Sequence, residues 1–365
     1  MSLFLQQHLR TLRERPGARA FLHEHLHLPV GDATWRLNVD PTVGCNLRCS
    51  FCINTPARRR AFAEPSVLDA IAERVLPHAA SFVVGCRHEP LLHPTLPAWL
   101  SRLHQQRLSL PHRVELTLLT SGSLLDDRLR HAVLTSGLDE LGLSVDTTDP
   151  ATYEALRPPA TWAGLERVVR AALRETAGTP TRVSMLAVLI RATVRHLPTT
   201  VETLHAFGAR SFCLGQLVHN VRGPEVGPLV FRDDPSLGPL LDGVEAWCRA
   251  HDAMVGVPRP APAPLPDEIY PSFGDGSVRD EHLRVRESPS VCALPWCELR
   301  VDHRGLAYPC FMMLDARHAW GSLLTSSFEA VVNGPQAVSM RRELLRGRAP
   351  NAVCARCPFG PSRSA

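Results

Sequence analysis

The chain has 365 residues, of which 44% are hydrophobic, so it is long enough for one large domain and a smaller one. A total of 40 Lys and Arg against 36 Asp and Glu leaves a net charge of +4, which gives no reason to expect a nucleic-acid partner. No stretch approaches ~20 apolar residues and residues 1–30 lack the apolar segment of a signal peptide, so we expect a cytoplasmic protein with no membrane association. Its 11 cysteines include clustered ones, which we expect to bind metal rather than form disulfides.

The N-terminal part of the chain leads into a compact group of cysteines. Residues 1–34 are expected to form a helical extension, and the alternating segment Trp35 to Asp40 predicts a first strand. Cys45, Cys49 and Cys52, here called the first cysteine set, follow with the spacing C-x3-C-x2-C. Three thiolates this close can hold three corners of a cubane iron–sulfur cluster and leave the fourth iron open. A zinc or redox group of thiols is the alternative, although a closed zinc site needs a fourth ligand and none follows nearby.

Short apolar runs then alternate with amphipathic stretches. Further strands are predicted at Ser81 to Val84, Val114 to Leu119, Leu141 to Val145, Val183 to Ile190 and Ser211 to Leu217. Helices are predicted at Pro65 to Leu76, Leu124 to Leu134 and Trp162 to Arg174. Strands separated by helices imply a parallel sheet with right-handed crossovers. Six such units over residues 35–220 predict an α/β fold, a partial (β/α)6 TIM barrel.

The first cysteine set, with Phe51 before its last cysteine, resembles the defining motif of the radical S-adenosylmethionine (SAM) superfamily. The resemblance implies the same partial barrel, a [4Fe–4S] cluster held by the three cysteines, and SAM bound at the open iron. It also implies an electron donor such as flavodoxin or ferredoxin. Electron transfer to SAM would give a 5′-deoxyadenosyl radical that takes a hydrogen atom from a substrate carbon.

The loops at the carboxyl ends of the strands should build the active site. Gly85 to Pro90 resembles the family's Gly-Gly-Glu-Pro, which receives the SAM ammonium, but Arg87 and His88 replace the two glycines. In the same way the resemblance assigns cofactor-binding roles to Phe51, Glu89, Thr120, Ser121, Ser144, Asp146 and Arg157. Arg157 would pair with the SAM carboxylate, because a planar guanidinium suits a bidentate contact. Helix capping by Asp146 is an alternative, and Leu189 and Ile190 would either touch the adenine or belong to the core.

Residues 221–290 differ in composition from the segments on either side. They contain a predicted helix, Leu240 to His251, and a stiff proline-rich stretch at 258–266, which is either a linker or a lid over the substrate. Before them, Gln216, His219 and Asn220 end the last barrel strand, where they either contact substrate or form a polar loop.

Residues 291–365 contain the remaining clustered cysteines. Cys292 and Cys297 precede a hairpin that turns at residues 303–305 and ends in Cys310, and an amphipathic run, Ser327 to Leu345, follows. This pattern resembles the SPASM/twitch extension of radical SAM enzymes in its shorter twitch form. The resemblance implies a fully ligated auxiliary [4Fe–4S] cluster held by what we call the second cysteine set: Cys292, Cys310, Cys354 and Cys357. A structural Zn(Cys)4 site, or Cys297 in place of Cys292, is the alternative.

Among radical SAM enzymes, the chain is similar to 2-deoxy-scyllo-inosamine dehydrogenase-like and aminoglycoside epimerase-like members. This similarity implies oxidation of a carbinol in a sugar- or aminocyclitol-type small-molecule substrate, as in antibiotic biosynthesis. An epimerase that returns hydrogen from Cys297, Cys213 or Cys248 is one alternative. A peptide (RiPP) maturase is another, disfavoured by the absence of a leader-binding domain. A binding protein without catalysis is disfavoured by the largely intact SAM motifs.

Overall fold

The computed structural model describes residues 26–28, 34–52, 60–216, 236–257, 292, 294–313 and 315–355. In chain order the strands are β1 (Trp35–Val39), β2 (Thr42–Val43), β3 (Ala61–Phe62), β4 (Ala79–Val84), β5 (Glu115–Thr120), β6 (Glu140–Ser144), β7 (Arg182–Leu189), β8 (Ser211–Gln216), β9 (Met254–Gly256), β10 (Glu298–Val301), β11 (Leu306–Tyr308) and β12 (Gly321–Ser322). The helices are α1 (Pro65–Val75), α2 (Leu96–Leu108), α3 (Asp127–Leu134), α4 (Pro150–Leu156), α5 (Trp162–Thr176), α6 (Leu197–Ala206), α7 (Leu237–Ala250), α8 (Leu294–Cys297), α9 (Phe328–Val332), α10 (Pro335–Leu345) and α11 (Ala352–Ala355).

One ten-stranded sheet organises the described chain, in the order β12-β11-β10-β1-β4-β5-β6-β7-β8-β9. Strands β1 and β4 to β8 are parallel neighbours joined by helices, which confirms the predicted partial barrel. Beyond β8, β9 pairs in parallel, so α7 and β9 continue the barrel sheet. On the other side β10 pairs in parallel with β1, and β11 and β12 follow antiparallel. The sheet therefore runs through the boundaries at 220 and 290 that composition suggested.

Several helices differ from the sequence-based prediction for local reasons. The helix predicted from Leu124 begins at Asp127, because the side chain of Asp126 accepts the N–H of Leu129 and caps it. The amphipathic run from Ser327 to Leu345 contains two helices, α9 and α10, which are divided at Gly334. The glycine is followed by a proline, which starts a helix well but cannot continue one.

The two faces of the barrel sheet have different chemistry. In β1, Leu37 and Val39 are fully buried among the helices on one face. The alternate residues point to the interior and are polar. There Arg182 of β7 pairs with Glu140 of the adjacent strand β6 and with Glu115 of β5, one strand further along, both at 2.9 Å. The interior face thus carries ion pairs and polar side chains together with apolar residues such as Val83.

The N-terminal segment packs on the C-terminal unit. Leu28 N donates to Asn333 Oδ1 at 2.7 Å, and Arg341 Nη1 donates to Leu26 O at 3.0 Å. The rest of the predicted extension, the proline-rich stretch, His219, Asn220 and Cys357 lie outside the described residues. Within the described chain, no helix is long and apolar enough to span a membrane.

Candidate active site

The first cysteine set lies in the loop that leaves β1 at the carboxyl edge of the sheet. Cys45 and Cys49 are partly buried, and Cys52 is exposed. Burial raises the pKa of the Cys49 thiol to about 11 against the lowering effect of Arg157, and the charges of Cys52, Asp146 and Cys45 contribute to the rise. All three cysteines lie in this one short loop, as a shared iron–sulfur cluster would require.

Arg157 follows the end of α4, and its guanidinium points at the first cysteine set. Its Nη1 lies 3.8 Å from Cys49 Sγ, and its Nε donates to Asp146 Oδ2 at 2.5 Å. The guanidinium carbon lies 5.2 Å from the centre of the Phe51 ring. Burial alone would lower the pKa of Arg157, but the charges of Asp146 and Cys49 raise it above its usual value. The side chain is a fixed, buried cation.

Glu89 follows β4 and connects two loops at the carboxyl edge. Its Oε1 accepts from Leu91 N at 3.2 Å and from Thr120 Oγ1 at 2.6 Å. Its Oε2 accepts from the backbone N of Ser121 at 3.0 Å and from Ser121 Oγ at 2.6 Å. The carboxylate is 2% exposed and thus fixes the loop after β5 against the loop after β4.

Further hydrogen bonds join these loops to the first cysteine set. Ser121 Oγ lies 2.9 Å from Ser123 Oγ, which accepts from Asn46 Nδ2 at 2.8 Å. On the other side, His88 Nδ1 accepts the N–H of Gly44 at 3.2 Å. Burial lowers the pKa of His88 to about 4, so the ring is neutral at neutral pH. The histidine that replaces a family glycine supports the start of the cysteine loop.

The apolar wall of the site is separate from the barrel core. Phe51, Leu156 and Ile190 form a small buried cluster against which Cys49 packs. Leu189 belongs instead to the main core. Of the two residues expected near adenine, Ile190 lies beside the cysteine loop and Leu189 does not. Ser144 ends β6 on the polar face of the sheet.

Asp40 is a site residue that sequence reasoning did not single out. Its Oδ1 accepts from Cys86 N at 2.9 Å and Arg87 N at 3.1 Å, and its Oδ2 accepts from Arg300 Nε at 2.7 Å. Burial alone would raise the pKa of Asp40, but Arg300 and the two amides hold it below its usual value. The carboxylate links the barrel mouth to β10. In the sequence, the one feature that could have indicated this role is a charged residue at the end of an alternating strand.

Three members of the second cysteine set, Cys292, Cys310 and Cys354, lie within the described residues, in the C-terminal unit of the sheet. Cys310 follows β11, and Cys354 lies in α11, where its N–H donates to Asn351 Oδ1 at 3.0 Å. Burial raises the pKa of Cys310 well above its usual value, and the charges of Cys292, Glu298 and Cys354 add to this effect. Cys292, Cys310 and Cys354 all pack against the main core.

The three thiols predicted as hydrogen donors occupy different places. Cys213 lies in β8 on the same face as Ser211, whose hydroxyl bonds to Ser184 at 2.7 Å, so it points to the polar interior. Cys248 is fully buried in α7, where burial and Glu245 of the same helix raise its pKa to about 11. The structure places Cys248 in the helix layer, away from the barrel mouth. Cys297 is buried at the end of α8.

The donors at both sites suit iron–sulfur clusters. Within the described residues, no three His, Cys, Asp or Glu side chains converge on a point that one metal ion would occupy. A [4Fe–4S] cluster is larger and is held by cysteine thiolates, which are the donors present in both sets. SAM has a carboxylate, and Arg157 presents a buried cation beside the first set.

Comparison with known families agrees with this geometry. The profile of the radical SAM superfamily matches residues 39–205, and that of the SPASM iron–sulfur cluster-binding domain matches residues 292–358. The chain therefore contains a radical SAM domain with a TIM-barrel-like α/β fold, followed by a SPASM domain. These domains imply SAM, a [4Fe–4S] cluster and an auxiliary cluster as cofactors.

Curated relatives match a little under half of the chain. A probable GTP 3′,8-cyclase of Methanococcus maripaludis is 27% identical over 182 residues, which are 48% of this chain and 56% of the relative. A PqqA peptide cyclase of Granulibacter bethesdensis is 27% identical over 169 residues, which are 45% of this chain and 42% of the relative. The chain thus spans about half the length of these relatives.

Solved structures show the same fold. Streptococcus suis SuiB bound to SAM has a TM-score of 0.65 at 15% identity, over 94% of this chain and 75% of that one. The structure of anSMEcpe with bound SAM has a TM-score of 0.63 at 17% identity, over 85% of this chain and 83% of that one. BtrN in complex with SAM and 2-DOIA has a TM-score of 0.51 at 14% identity, over 90% and 94%. At these identities the likeness extends to the fold alone.

Proposed function

We propose that the chain is a radical SAM enzyme that removes a hydrogen atom from a substrate carbon and then oxidises that carbon. The observation that carries this proposal is the position of the second cysteine set. The strands β10 to β12 extend the barrel's own sheet beside β1. Cys292, Cys310 and Cys354 pack against the main core that lines this same sheet. A cluster held there would be fixed to the sheet that carries the first cysteine set, which suits the role of electron acceptor.

The first cysteine set and the loops around it would bind the cofactor. Cys45, Cys49 and Cys52 would hold a cluster whose chemistry, when bound, would be the one-electron cleavage of SAM to methionine and the 5′-deoxyadenosyl radical. Within the described residues, Arg157 Nη2 makes no hydrogen bond, so it is available for the SAM carboxylate. Thr120, Ser121, Ser144 and Asp146 at the ends of β5 and β6 are the proposed partners of the carboxylate and ribose, and Glu89 and Phe51 support them.

The proposed substrate is a sugar- or aminocyclitol-type small molecule, of the kind found in antibiotic biosynthesis. On the buried interior face, the hydroxyls of Ser81 and Thr117 have no hydrogen-bond partner within the described residues, which suits a polyhydroxylated ligand. In the reaction, the carbinol C–H hydrogen atom would pass to the SAM-derived radical, the O–H proton to a base, and one electron to the auxiliary cluster. The product is a ketone, two hydrogens lighter than the substrate.

Anaerobic incubation with SAM, reductant and candidate polyols tests the proposal. We expect 5′-deoxyadenosine together with a product that has lost two hydrogens. Cys310→Ala should stop product formation but leave 5′-deoxyadenosine formation, because only the electron acceptor is lost. Thr325→Ala, at an exposed position of the same unit, should behave as the wild type. Full oxidation by Cys310→Ala would contradict the proposed role of the second cysteine set.

Epimerisation is a second candidate, favoured by the thiol of Cys213 on the interior face. An epimerase makes a product of unchanged mass, and in deuterated water its donor thiol adds one deuterium at the inverted carbon. If this label appeared and Cys213→Ala, Cys297→Ala or Cys248→Ala abolished it, the oxidation proposal would be replaced and the donor identified.

Peptide maturation is a third candidate, and the comparisons favour it more than the sequence motifs did. Support comes from the sequence similarity to a PqqA peptide cyclase and the fold likeness to SuiB, which has also been solved bound to its precursor peptide SuiA. If a peptide stimulated 5′-deoxyadenosine formation and no polyol did, both small-molecule proposals would fail.

A further inference from the structure

The backbone holds Cys49 directly opposite Arg157. The amides on either side of Cys49 donate to the carbonyls on either side of Arg157: Arg48 N to Pro158 O at 2.7 Å and Ser50 N to Leu156 O at 2.9 Å. These two hydrogen bonds fix the register between the cysteine loop and the end of α4. The contact of 3.8 Å between Arg157 Nη1 and Cys49 Sγ is therefore built into the fold.

The guanidinium of Arg157 is also held in place by Asp146. Asp146, which accepts from Arg157 Nε, has a φ of 60°, a left-handed conformation that few residues other than glycine, asparagine and aspartate adopt. Its second oxygen accepts from Val188 N at 2.9 Å, so the carboxylate is attached to β7. The Phe51 ring lies on the same guanidinium. With Arg157 only 7% exposed, no solvent-directed position competes with the one it occupies.

A fixed cation at one cysteine ligand has an electrochemical consequence. Reduction adds negative charge to an iron–sulfur cluster and its thiolates, and hydrogen bonds and positive charge at the ligand sulfurs stabilise the reduced form. We propose that Arg157 raises the reduction potential of the SAM-binding cluster by acting on Cys49, independently of any contact with SAM. The proposal rests on the cluster at the first cysteine set and does not require any particular substrate.

A redox titration of the reconstituted full chain without SAM, followed by electron paramagnetic resonance, tests this inference. In Arg157→Gln, we expect the reduced-to-oxidised ratio of the SAM-binding cluster at a fixed potential to fall roughly tenfold, which is about 59 mV for one electron. The auxiliary cluster in the same sample serves as the internal reference and should not shift. A triple Ala variant of the first cysteine set identifies which signal belongs to which cluster.

Arg170→Gln is the matched control. Arg170 is a half-exposed arginine of α5 that pairs with Glu166 and lies on the Phe207 ring, far along the chain from either cysteine set. The Arg170→Gln variant should leave the reduction potentials of both clusters unchanged. A wild-type potential in Arg157→Gln would overturn the inference, even if SAM binding fell, because Arg157 would then act on SAM alone. An equal shift in the reduction potentials of both clusters would overturn the inference too, since it would indicate that the substitution disturbs the whole protein.

A second measurement uses the wild-type protein and covers the case in which Arg157→Gln does not assemble its first cluster. In protein labelled with a nitrogen isotope in its arginines, pulsed electron paramagnetic resonance of the reduced SAM-binding cluster should detect one guanidinium nitrogen coupled to the electron spin of the cluster. Arg157→Lys should lose that coupling. If the labelled wild type shows no coupled nitrogen, the inferred contact with Cys49 does not exist in the loaded protein and the inference fails. Absence of the cluster signal altogether would contradict the cluster assignment instead.

Discussion

At the scale of single residues, Glu89 has more partners than the resemblance alone suggests. Its carboxylate accepts four hydrogen bonds from within the protein, and a carboxylate offers about four lone-pair sites. A SAM ammonium would have to share these sites or displace a donor. The geometry therefore supports a positioning role for Glu89, which holds Thr120 and Ser121 in place for the cofactor.

The variant Glu89→Gln separates positioning from direct binding. In the variant, an NH2 group replaces one carboxylate oxygen and points at groups that are themselves hydrogen-bond donors. We therefore expect the SAM-free protein to lose about 1–3 kcal/mol of unfolding free energy. SAM binding should weaken in the same variant. Denaturant titration without SAM and calorimetry with SAM measure the two effects. Glu166→Gln, on the outer face of α5, should change stability by less than about 0.5 kcal/mol. Unchanged stability in Glu89→Gln with weakened SAM binding would show that Glu89 acts only as a SAM ligand.

Local patterns at residue scale were predictable and long-range contacts were not. The spacing of the first cysteine set is visible in eight consecutive residues of the sequence. The contact between Arg157 and Cys49 joins residues 108 apart, and that between Asp40 and Arg300 joins residues 260 apart. No periodicity or spacing reports such pairs, because they depend on how the strands are ordered in the sheet.

At the scale of elements, the strands were predicted closely because their alternation is local. The strand predicted at Val114 to Leu119 is β5, one residue further along. Helix α4 was not predicted, since seven residues are too few for a clear helical period. Its start signals were nevertheless present: Asp149 accepts the N–H of Thr152, and Pro150 occupies the first turn. Helix α7 (Leu237–Ala250) was predicted as Leu240 to His251, but it was placed in the segment outside the barrel because the composition around it changes.

The junction of β1 and β10 depends on the ion pair between Asp40 and Arg300. Both side chains are at least 95% buried, and removing one partner leaves a buried charge. We expect Arg300→Met to lower the unfolding free energy by about 3 kcal/mol, measured by urea titration. Asp40→Asn combined with Arg300→Met should recover part of this loss, because no buried charge then remains unpaired.

An exposed ion pair of the same unit provides the control for that measurement. Arg317 pairs with Asp315 at 2.7 Å, but its side chain is 83% exposed. Arg317→Met should cost less than about 1 kcal/mol, since solvent screens an exposed pair. Equal losses in Arg300→Met and Arg317→Met would contradict the proposed importance of the buried junction.

At the scale of the whole molecule, the radical SAM and SPASM domains share one sheet. The register places Val39 of β1 beside Val84 on one side and Val301 on the other. The composition of the chain indicates two units but contains no sign that their strands pair. A continuous sheet gives the auxiliary unit a fixed position relative to the barrel interior, which electron transfer between a substrate and a second cluster would require.

Iron and sulfide analysis of the anaerobically reconstituted full chain tests the central claim most directly, namely that two cysteine sets hold two [4Fe–4S] clusters. The account predicts about eight irons per chain with matching sulfide, four for each cluster. Replacing Cys45, Cys49 and Cys52 by Ala should leave about half of the iron, and this remainder should belong to the second cysteine set. Stoichiometric zinc without sulfide would contradict the account.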